Sequence, residues 1–492
     1  MTISKSMNIS LTGLKANQAA LNVVSHNIAN MNTEGYARQR VNFAEVRTTI
    51  NDNTVSGQIA SMSGVKIAGI TTAANDYLSG YLRGQNSDYQ SLLSDAESAA
   101  QLSDLMDTLK GTGLGDALSE FFNAANSLNQ NPTDYSLRIN FVEKAKYAAT
   151  KFNLMYSSIE GLRESKIGNG TQESANNSQI GSYVSLLNAD LHALENVNKQ
   201  ISSNPDDANL KTQRDQILAD ISSLTNVTTV INPSGTANVS IGNKDLLLNN
   251  ELQGELSVGT NGEIKFTDNN NHVSDITANV TGGKLGGTLN GVSAVNDALS
   301  GVNDLANAFA TLMNGVQMYA SGNDAAASYD RANDRLVLST EDLFTTSDGS
   351  GVFTASNLVI NDTVYNDPDL VAAARVDTSV AGWELSVGNG DNALAFYTSQ
   401  SERIPLLNNL TMNDYMNAMS TKAALNAASK AAEAETQGAI VDGIQNQILA
   451  ETGVNLDEEL TNMIMYQQAY NASARVFSTC VQVYDTLIAL GS

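Results

Sequence analysis

Histidine, cysteine and clustered carboxylates are the residue types that could give this 492-residue chain a catalytic or metal-binding site. Its three histidines, His26, His192 and His272, stand at no spacing that general acid-base catalysis or a zinc site would use. Cys480 is the single cysteine, so neither an intramolecular disulfide nor a cysteine-based zinc site can form. Serine and aspartate are so abundant that a hydrolytic triad drawn from them would carry no information. We therefore expect no enzymatic activity and no catalytic residues.

Two short segments have the composition of ligand-binding loops but lack the required spacing. GGKLGG at 282–287 does not fit a phosphate-binding loop, and we interpret it as a linker before the next helix. Asp330, Asn333 and Asp334 lack the glycine and the terminal glutamate of a calcium-binding loop, which favours a role as turn formers. The sequence therefore predicts no metal and no cofactor.

The charge balance and the lack of long apolar runs exclude two classes of binding partner. Asp and Glu number 52 against 27 Lys and Arg, giving a formal net charge of −25, which argues against a phosphate backbone as ligand. No apolar run approaches the roughly 20 residues that span a bilayer, and the first residues lack the apolar core of a secretory signal. We expect neither nucleic acid binding nor membrane insertion. A cytoplasmic protein and a substrate of signal-peptide-independent export both fit this pattern.

The strongest periodic signal lies near the C-terminus. Ten positions there alternate in steps of four and three, and all but Gln467 are apolar or aromatic, as a helical heptad seam requires. Asn455, followed three residues later by Glu458, predicts a helix N-cap just before this seam. The positions are Leu456, Leu460, Met463, Gln467, Tyr470, Ala474, Phe477, Val481, Tyr484 and Ile488.

A second and weaker seam lies near the N-terminus. Basic residues predominate around it and acidic residues around the C-terminal seam, so the charges favour pairing of the two ends. Such a pair could be a hairpin in a globular core or an interface with other subunits. Burying about fifteen apolar side chains yields roughly 20 to 45 kcal/mol, whereas ordering some 65 residues costs about 100 kcal/mol. We therefore expect both ends to stay mobile in the monomer and to order only when neighbouring subunits cover the remaining apolar surface. The positions are Met7, Ser10, Leu14, Asn17, Leu21, Val24, Ile28 and Met31.

Between the ends, helical spacing gives way to alternating β patterns. Residues 76–161 and 178–224 have helical spacing, whereas strand-like runs begin near residue 227, with Asn261-Gly262 as the expected type I′ hairpin turn. A further helix is expected at about 292–319, followed by strands through about 390 and helix again from 391.

This pattern predicts a multidomain α + β protein with long α-helical coiled-coil termini, a helical-bundle middle domain and a centrally inserted β-rich outer domain. The predicted divisions are a terminal core of 1–33 with 455–492, a mainly helical middle of 34–226 with 285–320 and 391–454, and an outer domain of 227–284 with 321–390.

The stretch SHNIANMNTEGYARQRV, from Ser25 to Val41, resembles the N-terminal signature of the flagellar axial proteins, a family of rod, hook and hook-associated subunits. Ala37-Arg38-Gln39 is similar to the hook-associated branch, because rod and hook subunits more often continue with lysine after the Gly-Tyr pair. Residues 209–227 and the last helix extend the resemblance. The matching signature positions are Asn27, Ile28, Ala29, Asn30, Asn32, Thr33, Gly35 and Tyr36.

The resemblance implies a structural subunit at the junction between hook and filament, exported through the flagellar type III apparatus to the extracellular flagellum. It implies as partners further copies in a helical assembly, the hook protein, the next hook-associated protein toward the filament and a cytoplasmic export chaperone on the C-terminal helix. Because the centre is short, we expect the extra outermost domain of some relatives to be absent. The alternatives are a rod or hook subunit and, in another class, an adhesin-like binding module.

The signature also has an interpretation from its residues alone. Asn30 and Asn32 can end the first helix and Gly35 can supply a positive φ, so the segment would redirect the chain between domains, although an ordinary turn within one domain fits equally. The residues expected to serve assembly are Leu14, Leu21, Val24, Asn27, Ile28, Asn30, Asn32, Gly35, Tyr36, Arg38, Gln39, Leu456, Leu460, Met463, Tyr470, Phe477, Val481, Tyr484 and Ile488.

Overall fold

The computed structural model describes residues 3–33, 36–50, 59–72, 76–107 and 113–491. Helices predominate and include both ends of the described chain. In chain order they are α1 (Ile3–Ala29), α2 (Asp76–Asp107), α3 (Leu114–Gln130), α4 (Tyr135–Ile167), α5 (Gln172–Asn177), α6 (Gln179–Ser203), α7 (Ala208–Leu224), α8 (Gly283–Gln317), α9 (Asp362–Asn366), α10 (Asp391–Thr398), α11 (Met412–Thr452) and α12 (Leu456–Gly491).

The described strands form five small antiparallel sheets. Their orders are β1-β2, β3-β4-β5-β6, β7-β8-β9, β10-β11-β12 with β15 on β11, and β13-β14. The strands are β1 (Gln39–Ile50), β2 (Ile59–Thr72), β3 (Thr228–Ile231), β4 (Ala237–Ile241), β5 (Lys244–Leu248), β6 (Glu251–Leu252), β7 (Gly254–Val258), β8 (Ile264–Asp268), β9 (Val273–Asp275), β10 (Ala320–Ser321), β11 (Asp324–Asp330), β12 (Arg335–Leu338), β13 (Phe344–Thr346), β14 (Leu358–Ile360) and β15 (Ala374–Asp377).

Side-chain caps fix where several helices begin. Asp134 accepts hydrogen bonds from the backbone amides of Ser136 and Leu137, which starts α4 just after the proline that follows α3. Asp207 does the same for the amides of Asn209 and Leu210 at the start of α7. These caps satisfy amides that a helix leaves without intrahelical partners.

Two large hydrophobic cores, and a third, small one between β11, β12 and β15, hold the middle of the described chain. The first joins α3, α4, α8 and α10 with β13-β14 around six fully buried phenylalanines. The second lies between α6 and α7 on one side and strands β4, β5, β7 and β8 on the other. The six phenylalanines are Phe121, Phe141, Phe152, Phe309, Phe344 and Phe396.

The placement of the β segments differs from the predicted grouping. The sequence groups 227–284 with 321–390 in one outer domain, whereas the first segment packs in the second core and much of the second segment packs in the first. Alternation along a strand marks one buried face without identifying what covers it. The remaining domain boundaries stay predictions.

Two local predictions were wrong. GGKLGG belongs largely to the first turns of α8 and not to a linker. The β7-β8 connection spans residues 259–263 and has positive φ at Gly262 but not at Asn261, so it is longer than a type I′ turn. The hairpin β1-β2 precedes residue 76, where the first predicted helical stretch of the middle begins.

Candidate assembly site at the base of the terminal helices

Helices α1 and α12 pack against each other in antiparallel orientation. Two contacts along the pair give its register. A Cβ on Gly13 would lie 3.8 Å from the Cβ of Ser473, and the side-chain amide of Asn27 donates to the Glu459 carboxylate at 3.2 Å. Both contacts are separated by 14 residues on each helix, from 13 to 27 and from 459 to 473, so they belong to one continuous register. The hairpin joins this pair through Thr12, whose hydroxyl accepts from the Val65 amide at 3.3 Å.

The buried face of α1 is offset from the predicted seam. Besides Ser10 and Val24, which the seam contains, the buried residues are Ala16, Ala20, Val23 and Asn27. The seam residues Leu14, Leu21 and Ile28 are half-buried, on the flanks of this face. Periodicity selects the large apolar side chains, whereas the closest approach of two helices follows the small ones.

The predicted seam of α12 divides between covered and open positions. Leu456, Leu460, Tyr484 and Ile488 are exposed at 40%, 42%, 51% and 56%. Further large apolar side chains on this helix are also exposed, including Ile464, Met465, Val476, Val483, Leu487 and Leu490. The seam positions that are half-buried in the single chain are Met463, Tyr470, Ala474, Phe477 and Val481.

Asn27 is the centre of a buried polar cluster at the end of α1. Its side-chain oxygen accepts from the backbone amide of Gln39 at 3.0 Å, and its side-chain nitrogen donates to the backbone carbonyl of Gln39 at 2.9 Å. The same oxygen accepts from the Tyr36 hydroxyl at 2.8 Å. A single asparagine thereby ties the last turn of α1 to the first residue of β1.

Arg38 carries the positive charge of this cluster. Its Nε donates to Glu459 Oε1 at 2.6 Å, its Nη1 lies 2.9 Å from Glu458 Oε2, and its backbone amide donates to the Thr452 carbonyl at 3.0 Å. The Glu459 side chain is 1% exposed and that of Arg38 is 9% exposed, so the pair is taken out of water. In such a setting loss of one partner leaves an uncompensated charge.

Tyr36 and Gln39 connect the cluster to two further residues, His26 and Asn209. Burial, with a smaller effect of the Glu459 charge, raises the pKa of Tyr36 to about 12. Because the Tyr36 hydroxyl donates to Asn27, the Nδ1 of His26 at 3.0 Å acts as the donor to its oxygen. Gln39 Nε2 donates to Asn209 Oδ1 at 3.1 Å, which connects the cluster to the start of α7.

The other signature residues lie around the end of α1. Asn30 donates through its side chain to the His26 carbonyl at 2.9 Å, and its own carbonyl accepts from the Thr33 amide at 2.9 Å. Asn32 is exposed, and Gly35 lies outside the described residues. At the start of α12, Asn455 accepts from the amides of Asp457 and Glu458, so the predicted N-cap is confirmed.

Sequence reasoning missed three residues that complete the cluster. Glu459 and Thr452 come from the other end of the chain, and Asn209 comes from the middle. The acidic first turn of α12 is the one signal for Glu459 in the sequence, and by itself it indicates only that the two ends carry opposite charges.

The cluster connects four elements, α1, β1, α7 and α12, through hydrogen bonds and one buried ion pair. A cleft of about 540 Å³ beside it is lined by Gln39, Ile70 and residues 203–209. Over the described ranges, no group of three or more histidine, cysteine, aspartate or glutamate side chains is placed to hold a metal ion. No helix in the part of the chain that the structure describes is long and apolar enough to cross a membrane.

Three family profiles match the chain. Residues 99–328 match the helical domain of flagellar hook-associated protein FlgK. Residues 7–36 match the flagella basal body rod protein family, and residues 445–490 match the C-terminal region of the flagellar basal body rod FlgEFG proteins. The rod-type matches thus fall on the terminal helices, and the FlgK match falls on the helical middle.

Whole proteins are similar along the full chain. Flagellar hook-associated protein 1 of Salmonella typhimurium is 24% identical over 569 aligned positions, covering 99% of this chain and 100% of the relative. Because this chain has 492 residues, at least 77 of those aligned positions have no counterpart in it. Flagellar hook-associated protein 1 of Bacillus subtilis is 24% identical over 515 positions, covering 96% of each chain.

A solved structure confirms the fold class. The flagellar hook junction protein FlgK from Burkholderia pseudomallei superposes with a TM-score of 0.58 at 14% identity, over 75% of this chain and 99% of that chain. The matching families consist of flagellar structural proteins, so the prediction that the chain is not an enzyme is also confirmed. Along its whole length the chain is therefore similar to flagellar hook-associated protein 1, and its terminal segments resemble those of the flagellar rod proteins.

Proposed function

We propose that this chain is a structural subunit of the bacterial flagellum that forms the junction between hook and filament and enables the filament to assemble. The carrying observation is the pair of terminal helices, of which α12 leaves a long apolar face uncovered. Monomeric proteins rarely keep such a surface in water. Further copies of this chain in a helical assembly would cover it.

In this proposal each part of the chain has its own task. Helices α1 and α12 join a tubular core, the helical middle makes lateral contacts, and the outermost β segments project away from the core. The hook protein on one side and the next hook-associated protein on the other are the expected neighbours. The assembled protein would be extracellular, after export without a cleaved signal peptide.

Before assembly the apolar face of α12 needs a temporary cover. We infer that a cytoplasmic export chaperone binds this helix, since exposed Leu460, Ile464 and Leu487 would otherwise favour aggregation. A titration of the chaperone against full-length chain and a chain ending at residue 455 tests this. Equal affinity for both chains would refute it.

A flagellar rod or hook subunit is the second candidate, because the rod-type profiles match both terminal segments. Those segments are common to the axial proteins, whereas the match over 99–328 is to the FlgK helical domain and favours the junction.

Electron microscopy of cells lacking this protein separates the two candidates. A junction protein predicts complete hooks without attached filaments, and absence of the hooks themselves would support a rod or hook subunit. An adhesin-like module predicts normal flagella together with loss of ligand binding.

A further inference from the structure

The apolar contact between α1 and α12 does not by itself fix how far the two helices slide along each other. The contacting face of α1 contains the small residues Gly13, Ala16 and Ala20, which offer no deep pocket for a particular partner, followed by Val23 and Val24. On α12 the positions one turn from Ser473 are Ala469 and Phe477, both half-buried and apolar. A slip of one turn, about 5.4 Å, would exchange one set of apolar contacts for another of similar kind.

The polar contacts at the base of the helices are specific for one register. If α12 moved by four residues, Asn455 or Met463 would replace Glu459 opposite Asn27 and Arg38. Neither residue carries a charge. Arg38 would then be left without the carboxylate that holds its Nε, at a position where its side chain is 9% exposed. Such a buried unpaired charge is strongly disfavoured.

We propose that Asn27, Arg38 and Glu459 set the register of α1 against α12, and that Arg38 and Glu459 serve this role more than they serve net stability. An ion pair buried in this way is often no more stable than a well-packed apolar pair, but it excludes misaligned states. The cluster is therefore an alignment device. It acts within one chain and does not depend on the proposed flagellar function.

The register has a structural consequence at the far end of the helices. In an antiparallel pair the residue numbers of facing positions have a constant sum, and for Asn27 with Glu459 and for Gly13 with Ser473 that sum is 486. The same register places Ile3 level with Val483. The residues of α12 beyond Val483 therefore extend past the first described turn of α1. Tyr484, Leu487, Ile488 and Leu490 in this extension are 51%, 53%, 56% and 79% exposed.

Disulfide trapping in the full-length chain reads the register directly. With Cys480 replaced by serine, Gly13→Cys with Ser473→Cys reports the native alignment, since the Cβ separation of 3.8 Å suits a disulfide. Gly13→Cys with Ala469→Cys reports a slip of one turn. We expect the native pair to cross-link at least about tenfold faster than the slipped pair, and this preference to fall toward equality in Arg38→Met/Glu459→Met.

Two further variants keep the result interpretable. Glu459→Gln preserves the shape of the side chain and should weaken the preference, whereas Glu458→Gln, on a side chain that is 55% exposed, should leave it unchanged. Emission of Trp383, the single tryptophan, verifies that the outer part of the chain stays folded. Equal cross-linking of the two pairs in the parent chain would overturn the proposal. So would a preference that survives both Arg38→Met/Glu459→Met and Glu459→Gln.

Discussion

Glu458 and Glu459 are adjacent at the start of α12, but their surroundings give them different energetic weight. Both contact Arg38, yet the Glu459 side chain is 1% exposed and the Glu458 side chain is 55% exposed. Removing one partner of a buried ion pair costs about 3 to 5 kcal/mol, whereas an exposed pair contributes about 0 to 1 kcal/mol.

We therefore expect Glu459→Ala to destabilise the terminal helices by about 3 kcal/mol and its neighbour's variant, Glu458→Ala, by less than about 1 kcal/mol. Hydrogen exchange of the α1 amides, together with urea unfolding followed by circular dichroism, measures both. Similar losses for the two variants would show that the burial of Glu459 has no energetic consequence.

Tyr36 makes the stability of the same cluster depend on alkaline pH. Its pKa is raised to about 12 in the folded chain, so between about pH 10 and pH 12 the folded chain holds a proton that the unfolded chain releases. Stability from this group is complete below about pH 10 and falls as the pH rises toward about 12.

Tyr36→Phe should cost about 1 kcal/mol at neutral pH, because the hydrogen bond to Asn27 is lost, and should flatten the alkaline decline. The decline is measured by the urea concentration at the midpoint of unfolding, determined at several pH values between pH 9 and about 11.5. Tyr77→Phe, at a residue 82% exposed, is the control and should follow the parent. An unchanged decline in Tyr36→Phe would contradict the assignment.

At the residue scale the resemblance found one half of the site. Asn27, Tyr36, Arg38 and Gln39 were singled out because they form part of a signature, and all four meet in the cluster. Glu459 was out of reach because it is 421 residues from Arg38, and local periodicity does not record which distant residue faces a given charge.

At the scale of elements, α8 shows how a glycine-rich segment can be helical. A Cβ at Gly287 would lie 2.0 Å from the Ser91 carbonyl oxygen, so α2 and α8 approach each other through backbone at this point. Glycine lowers helix propensity, which is why the segment was expected to be a linker, but close packing outweighs that preference here.

Gly287→Ala should therefore destabilise the helical middle by about 2 kcal/mol or more through the forced separation of α2 and α8. Gly315→Ala lies in the same helix with nothing within 4 Å of the added Cβ and should be neutral or stabilising by up to about 1 kcal/mol. Thermal unfolding of the two single variants compares them directly. A neutral Gly287→Ala would argue against the tight contact.

Elements with a sustained repeat of apolar residues are predictable from the sequence, whereas features that depend on contacts with distant elements are not. The extent and the N-cap of α12 follow from its own sequence. The hairpin β1-β2 lies in a stretch for which the sequence pattern predicts no element, and the buried face of α1 is offset because small side chains allow the closest approach to α12.

At the scale of the whole molecule, the extension of α12 beyond α1 is the part most dependent on assembly. Residues 485–490 are exposed in the single chain, so their removal withdraws little buried surface. A chain ending at Tyr484 should keep the unfolding temperature of the parent but fail to support filaments.

Circular dichroism melting and electron microscopy of complemented cells test the two halves of this expectation. A chain ending at Asn455 is the positive control for loss of assembly. Normal filaments on the shorter truncation would show that the extension has no part in the assembly.

The whole-molecule division into helical ends and a β-containing centre follows from composition and periodicity, because each element type has its own repeat. The distribution of the β segments over three hydrophobic cores does not follow from them, because it depends on contacts between elements that are distant in the sequence.

The antiparallel pairing of α1 and α12 also decides where the protein can be labelled. The first turn of α1 and the last turns of α12 lie at the same end of the pair, far along the helices from the Asn27 cluster. A fluorescent dye or affinity tag attached at either terminus would therefore lie beside the exposed apolar residues of the α12 extension. The turn between β8 and β9, where the His272 side chain is 80% exposed, offers an attachment point for imaging that leaves the helical ends unmodified.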